Sequence, residues 1–214
     1  MEDAEESERL QSTLANQMRE YALELSPRTI EQLTSYYTLL RRWNERLHLV
    51  APCSPEEFAQ RHLLESLVLV KFFPPASSIA DVGSGAGLPI IPCLIARADL
   101  KATLVESSPK KSVFLREALS QLGISSRASI IAKTFESTTA PDSAFVTCRA
   151  LDEFIDKVEA LVKWSPANST LLLFGGETLR QKLEQIDLRY TEHLLPLSEK
   201  RFLFQVKSVV EGCG

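Results

Sequence analysis

The chain has no apolar run approaching the roughly 18 residues needed to cross a bilayer, so no membrane span is expected. Its four cysteines, Cys53, Cys93, Cys148 and Cys213, are scattered and never in C-x-x-C spacing. That argues against zinc ligation and against a disulfide framework, and no metal is expected. Internal repeats and low-complexity tracts are absent. The first residues are acidic, unlike the basic-then-apolar start of a signal peptide, and a reducing cytoplasm is the expected compartment. Positive charge is also in short supply: the formal net charge is -4, which weighs against avid non-specific binding to nucleic acid. The deficit is local, however. Glu2, Asp3, Glu5, Glu6 and Glu8 crowd the first eight residues with no base among them. Without those five, acids and bases nearly balance, which leaves room for a basic face on the body.

What is present is a core. Of 214 residues, 44% are apolar, enough for one domain with an extension. Up to residue 75 the pattern is helical. Leu10, Leu14, Met18, Tyr21 and Leu25 recur at helical spacing. Ser26-Pro27 opens a second helix, carried on by Ile30, Leu33, Tyr37, Leu40 and Leu47. Ser54-Pro55-Glu56-Glu57 opens a third in capping-box fashion, which Phe73-Pro74-Pro75 stops. Trp43 and Leu47 are expected to pack this extension. Beyond residue 76 strands alternate with helices. Strands are expected at 78–82, 102–106, 128–132, 144–148 and 170–174, with helices near 88–96, 109–122, 152–164 and 177–187. Such near-continuous apolar strands fit a parallel sheet covered on both faces. The last two strands, 189–195 and 202–208, read as an antiparallel hairpin at the sheet edge.

The segment Ile79-Ala80-Asp81-Val82-Gly83-Ser84-Gly85-Ala86-Gly87-Leu88-Pro89 holds the densest chemical signal. A strand ends in an acid, and three glycines follow at alternate positions, where ligands collect in open α/β sheets. The spacing is G-x-G-x-G, not the G-x-G-x-x-G of dinucleotide binders. An acid before the first glycine suits a ligand with an ammonium group, which points to S-adenosylmethionine (AdoMet). The bland alternative is a mere turn. Glu106 closes the next strand 19 residues after Gly87, where a carboxylate is expected to hold ribose hydroxyls. Alone, it would be a solvated strand end.

Other residues keep two readings. Lys110 and Lys111 at a helix start are either a solvated face or contacts to RNA phosphate. Arg149, after the fourth strand, either makes a surface ion pair or meets a carboxylate or phosphate. Arg61 and Glu65 stand at i, i+4, the spacing of an ordinary intrahelical ion pair. His62 is either a hydrogen-bonded structural residue or part of a site. Cys148 reads as buried packing, against a nucleophile of the kind some RNA methyltransferases use on pyrimidines.

Three blocks together resemble a known family: Arg61-His62-Leu63-Leu64-Glu65-Ser66, then Asp81 to Pro89, then Cys148-Arg149-Ala150. Glu106 to Lys111 with Phe114-Leu115, and the closing Arg201 and Lys207, extend the likeness over roughly residues 30–208. The family is the bacterial small-subunit rRNA (guanine-N7) methyltransferases, RsmG or glucose-inhibited division protein B. The resemblance implies a class I AdoMet-dependent methyltransferase, a Rossmann-like α/β fold with a seven-stranded sheet whose last strands are antiparallel. An N-terminal helical extension (1–75) would pack with the methyltransferase domain (76–214) as one unit. It implies AdoMet as cofactor, a guanine in the decoding-region loop of 16S rRNA as target, the 16S rRNA or small ribosomal subunit as partner, and a monomer. By position, Asp81, Gly83, Gly85, Gly87, Leu88 and Glu106 would hold the cofactor and Thr134, Phe135 and Glu136 its adenine. Arg149 would lie between the methionine end and the base as the catalytic residue, with Arg61, His62, Lys110 and Lys111 toward RNA. Three departures stand out: Ile90 for glycine, His48-Leu49-Val50 for Asn-Leu-Thr, and Gly175-Gly176 for Lys-Gly after the fifth strand.

Guanine N7 has a lone pair and no proton, so its methylation needs no general base. The sequence indeed lacks a conspicuous acid-base pair and an Asn-Pro-Pro-Tyr type segment suited to an exocyclic amine. Two alternatives remain: a ribosome-associated binding protein that kept the fold with little or no turnover, and a methyltransferase for another substrate.

Overall fold

The computed structural model describes residues 2–149 and 154–207. Seven strands form one sheet in the order β3-β2-β1-β4-β5-β7-β6. They are β1 (Ser78–Val82), β2 (Lys101–Val105), β3 (Ala128–Ile131), β4 (Phe145–Cys148), β5 (Thr170–Gly175), β6 (Tyr190–Leu194) and β7 (Phe202–Lys207). The first five run parallel, and β7 lies antiparallel to both β5 and β6. Every expected strand forms within a residue or two of its bounds; residue 208, and the start of the helix expected from 152, lie outside the described residues.

Alternation along the strands sorts side chains onto two faces. Ile79, Leu104, Leu172 and Phe174 point to one, under α2 (Pro27–Leu47), α5 (Ile90–Ala96) and α6 (Pro109–Gln121). Ala80, Val82, Val105, Val146, Cys148, Leu171 and Leu173 point to the other, under α7 (Phe154–Trp164) and α8 (Glu177–Gln185). Cys148 is fully buried in that second layer, in keeping with packing. No helix among the described residues is long and apolar enough to cross a membrane.

The N-terminal helices are continuous with the first layer. Leu10, Leu33, Leu40, Phe58 and Leu64 share one apolar cluster with Ile90, Leu94 and Phe114. Trp43 sets its ring edge-on to Phe114, 6.0 Å between centroids, so it packs across to the sheet layer and not within the extension alone. The Ser26 hydroxyl caps α2 by accepting from the Thr29 amide at 3.1 Å, and Ser54 caps α3 (Pro55–Phe58) through Glu57 at 3.2 Å.

Two local features depart from the sequence pattern. α1 (Glu2–Gln17) ends before Met18, although the helical spacing of apolar residues runs on to Leu25. The Leu23 amide turns back to the Met18 carbonyl and Ala22 takes φ +48°, so Tyr21 is buried from a turn. Burial selects the residues here, not helix continuity. After α3 the chain widens into a π-helical stretch, Ala59–Leu64, before resuming as α4 (Glu65–Leu67) and a 3-10 turn, Val68–Lys71. Such wide turns insert a residue into the helical ladder and re-aim side chains. Arg61 consequently pairs with Glu57 at 2.6 Å, not with Glu65, whose carboxylate is drawn into the protein.

Candidate active site

The loop after β1 is held by the sheet itself. Gly83 and Ser84 amides both donate to the Val105 carbonyl, and Gly83, Gly85 and Gly87 all have positive φ, at 70°, 50° and 82°. Gly87 admits no substitute: a Cβ there would stand 2.8 Å from Ile91 Cγ1 and 3.3 Å from Leu115 Cδ2. Its job is to let the loop close onto α5 and α6.

Under the loop lies Asp81, fully buried at the end of β1. Register places it beside Thr147 of β4, whose hydroxyl donates to Oδ1 at 2.7 Å. Oδ2 is buried with no hydrogen-bond partner among the described residues. Burial pushes the Asp81 carboxyl up to about 7; hydroxyls of Thr147 and Ser84 pull it down and the Glu106 carboxylate adds to the rise. Glu106 braces the loop from the next strand. Its Oε2 accepts from the Gly85 amide at 2.8 Å and its Oε1 from the Ser108 amide at 2.7 Å, and each oxygen keeps a lone pair for a further donor.

A cleft of about 300 Å³ opens above this loop, lined by Gly83, Gly85, Leu88, Glu106, Lys111 and Arg149 together with His62, Ser84, Ala86 and Ser107. Leu49, Val50 and Ala51 form its far wall. They are held there by Asn44, whose side-chain amide brackets Val50 with two hydrogen bonds after α2 ends in left-handed His48. On the other side of Gly83, a smaller recess of about 40 Å³ is lined by Lys133, Thr134, Phe135 and Glu136 with Val82, Val105 and Lys157. Lys110 and Arg61 are exposed and line neither space. Gly87 and Asp81 lie behind the loop.

Arg149 is not poised toward open space. Its Nη1 donates to Ser66 Oγ at 3.0 Å and the His62 carbonyl at 3.4 Å, and its Nη2 to the Arg61 carbonyl and Glu65 Oε2, the last at 3.5 Å. The guanidinium sits 5.5 Å from the Phe174 ring centroid. Burial draws its pKa below the ordinary arginine value, and Glu65 opposes that. Glu65, 1% exposed, also accepts from Arg201, the residue before β7, at 2.7 and 2.9 Å. One buried carboxylate thus ties β4 and β7 to the π turn.

Tyr36, in the middle of α2, has no local signal marking it. Its buried hydroxyl donates to the Ala86 carbonyl at 2.6 Å, coupling the helical extension to the glycine loop, and burial raises its pKa strongly. Tyr36→Phe leaves that carbonyl unpaired, at about 1–3 kcal/mol. The expected result is a lower melting temperature in thermal denaturation.

The GidB family profile, described as rRNA small subunit methyltransferase G, matches residues 29–206. The chain belongs to this family. Two of its members are the proteins named ribosomal RNA small subunit methyltransferase G in Halorhodospira halophila, 32% identical over 85% of this chain and 86% of that one, and in Dichelobacter nodosus, 36% identical over 83% and 86%. Among solved structures, cofactor-bound Rv0187 superposes with a TM-score of 0.59 at 11% identity, covering 84% of this chain and 91% of that one. The Bacillus subtilis tRNA methyltransferase TrmK gives 0.55 at 14%, covering 68% and 65%. At that identity these likenesses speak to the fold, a Rossmann-like methyltransferase sheet with its last strands antiparallel.

Within the family frame, the glycine at 175 has a physical cause. A Cβ on Gly175 would lie 2.8 Å from the Cβ of Leu179, itself buried in the second layer. Any side chain, lysine included, displaces the start of α8. Gly175→Ala is expected to cost about 1–2 kcal/mol net, overpacking outweighing the entropy gained in the unfolded chain, read as a lower denaturant midpoint.

Proposed function

We propose that this chain methylates guanine N7 in the decoding-region loop of 16S rRNA, using AdoMet held along the glycine loop. The observation that carries it is Asp81: a buried carboxylate with one unpartnered oxygen, under a loop of bare backbone, in a member of this family. The residues fit AdoMet. Asp81 answers its ammonium group through water, the free lone pairs of Glu106 answer the ribose hydroxyls, and the Thr134-Phe135-Glu136 segment borders the adenine. When bound, AdoMet supplies a sulfonium methyl that a nitrogen lone pair takes by direct displacement.

The chain's own contribution is alignment and exclusion of water. Leu88, Leu49 and Val50 make the walls apolar around the reacting end. Arg149 fixes the floor by clamping the π turn. Lys111 at the rim, with exposed Lys110 beside it in sequence and exposed Arg61 preceding His62, supplies the positive charge that phosphate requires. A target base must be splayed from its stack to enter. Incubating small subunits with methyl-labelled AdoMet, digesting the rRNA and analysing nucleosides by mass spectrometry tests this directly. The expected result is one labelled 7-methylguanosine per subunit; label elsewhere, or none, rejects it.

One observation favours a second reading. The last position of β5, Gly175, is closed to a lysine by Leu179, so a group usual in the family is missing at the same sheet edge. A protein that binds AdoMet and the subunit but turns over slowly is its consequence, and a single-turnover time course separates the two.

A further inference from the structure

His62 is carried on the π-helical stretch and lines the cleft. Its ring packs on Phe58, 4.9 Å between centroids. Nδ1 is enclosed and has no hydrogen-bond partner among the described residues. An enclosed lone pair is easier to leave unpaired than an enclosed N–H, so the ring proton belongs on Nε2. Burial, with Arg149 and Arg61 close by, lowers the His62 pKa to about 3, and the imidazole is uncharged at any working pH. The turn that bears it is held from below: Arg149 grips the Arg61 and His62 carbonyls and the Ser66 hydroxyl, and Glu65 anchors Arg149.

An uncharged donor at this place suits a particular demand. A base methylated at N7 cannot be recognised through N7, because that lone pair must face the methyl group. The neighbouring acceptor on the same edge is O6. The base also gains a positive charge as the methyl arrives, so a cationic reader would oppose the transition state, whereas a neutral N–H does not.

We propose that His62 selects the target base, donating from Nε2–H to guanine O6, with Arg149 and Glu65 as positioning residues for the turn that carries it. This rests on the guanine-N7 reading above.

The test pairs enzyme and substrate changes. Small subunits are reconstituted with 16S rRNA carrying either guanine or 2-aminopurine at the methylated position; 2-aminopurine keeps N7 and lacks O6. Wild type is expected to lose about ten- to a hundredfold in kcat/KM on 2-aminopurine, the effect of one lost buried hydrogen bond. His62→Phe is expected to lose a similar factor on guanine and less than about threefold more on 2-aminopurine, since the partner is already gone. His62→Gln, whose amide N–H reaches the place of Nε2–H, is expected to recover most of the rate on guanine. AdoMet affinity, measured by calorimetry on each variant, is expected to stay within about threefold and reports that the fold is intact. The proposal is overturned if the two losses simply multiply, if His62→Phe is as fast as wild type, or if AdoMet affinity falls in parallel with rate. Wild type failing on guanine itself overturns the functional reading, and this inference with it, before any variant is made.

Discussion

Glu65→Ala is expected to cost about 3–5 kcal/mol of folding stability, the range for breaking a buried ion pair from one side. The carboxylate is 1% exposed and faces Arg149 and Arg201. Removing it leaves the Arg149 charge buried with only neutral partners: two carbonyls, the Ser66 hydroxyl and the Phe174 ring. Arg201, about a third exposed, turns to water at little cost, so Arg149 carries most of the loss. Glu65→Gln keeps the acceptor and the volume but not the charge, and falls between. Urea unfolding measures both; a midpoint shift with unchanged slope marks a true stability loss. A loss under about 1 kcal/mol for Glu65→Ala would mean that Arg149 is sustained without its anion. The same variant frees the π turn, so rRNA methylation is expected to fall more steeply than AdoMet binding.

That network shows where sequence runs out. The strands are legible because each is a short apolar run bounded by turn residues, and the glycine loop because its acid, glycines and Glu106 follow one another at fixed local offsets. Ser26 and Ser54 announce their helices because capping is decided within four residues. What the sequence conceals is pairing at distance. Tyr36 and Ala86 are 50 residues apart, Asp81 and Thr147 are 66, and Glu65 meets Arg149 and Arg201 across 84 and 136. No periodicity encodes these meetings, which arise from strand order and from the helical extension lying over one sheet face. The π turn is hidden for another reason: Arg61, His62 and Glu65 read equally well as a regular helix, and only the inserted residue shows that Arg61 and Glu65 part company. The end of α1 is obscured because Leu10 and Leu14 before the break and Met18, Tyr21 and Leu25 after it are all apolar for burial's sake.

Asp81→Asn is expected to gain stability relative to wild type as pH rises while weakening cofactor binding, opposite signs from one atom. Burial raises the Asp81 carboxyl to about 7, against about 4 in an unfolded chain. The folded protein therefore holds a proton that the unfolded chain has already released. Stability from holding it is fully present below about pH 4, declines as pH rises and is exhausted above about pH 7, at a total of about 2–4 kcal/mol. Asparagine carries no such charge. Between pH 4 and pH 8 the stability of the variant relative to wild type is expected to rise by that amount, on top of a pH-independent cost of about 1–3 kcal/mol for the amide N–H enclosed where Oδ2 has no partner. The other shifted carboxylates, Glu56, Asp99 and Glu159, are lowered by their own basic partners Arg9, Arg97 and Lys163 and cancel in the comparison.

Binding runs the other way. An ammonium group near Oδ2 needs the ionised carboxylate, so AdoMet must expel the proton wherever the empty site holds it. Affinity is expected to rise about tenfold per pH unit up to pH 7 and then level off, with a proton released to buffer below pH 7. Calorimetry in buffers of different ionisation enthalpy measures that proton directly. Asp81→Asn is expected to bind AdoMet roughly 10- to 100-fold more weakly at pH 8, the scale of a charge-assisted hydrogen bond relayed by an ordered water, with no pH dependence and no proton release. A wild-type affinity that is flat from pH 5 to 8 would separate Asp81 from the ligand's charge. The glycine loop would then remain as the only anchor for the cofactor's methionine end.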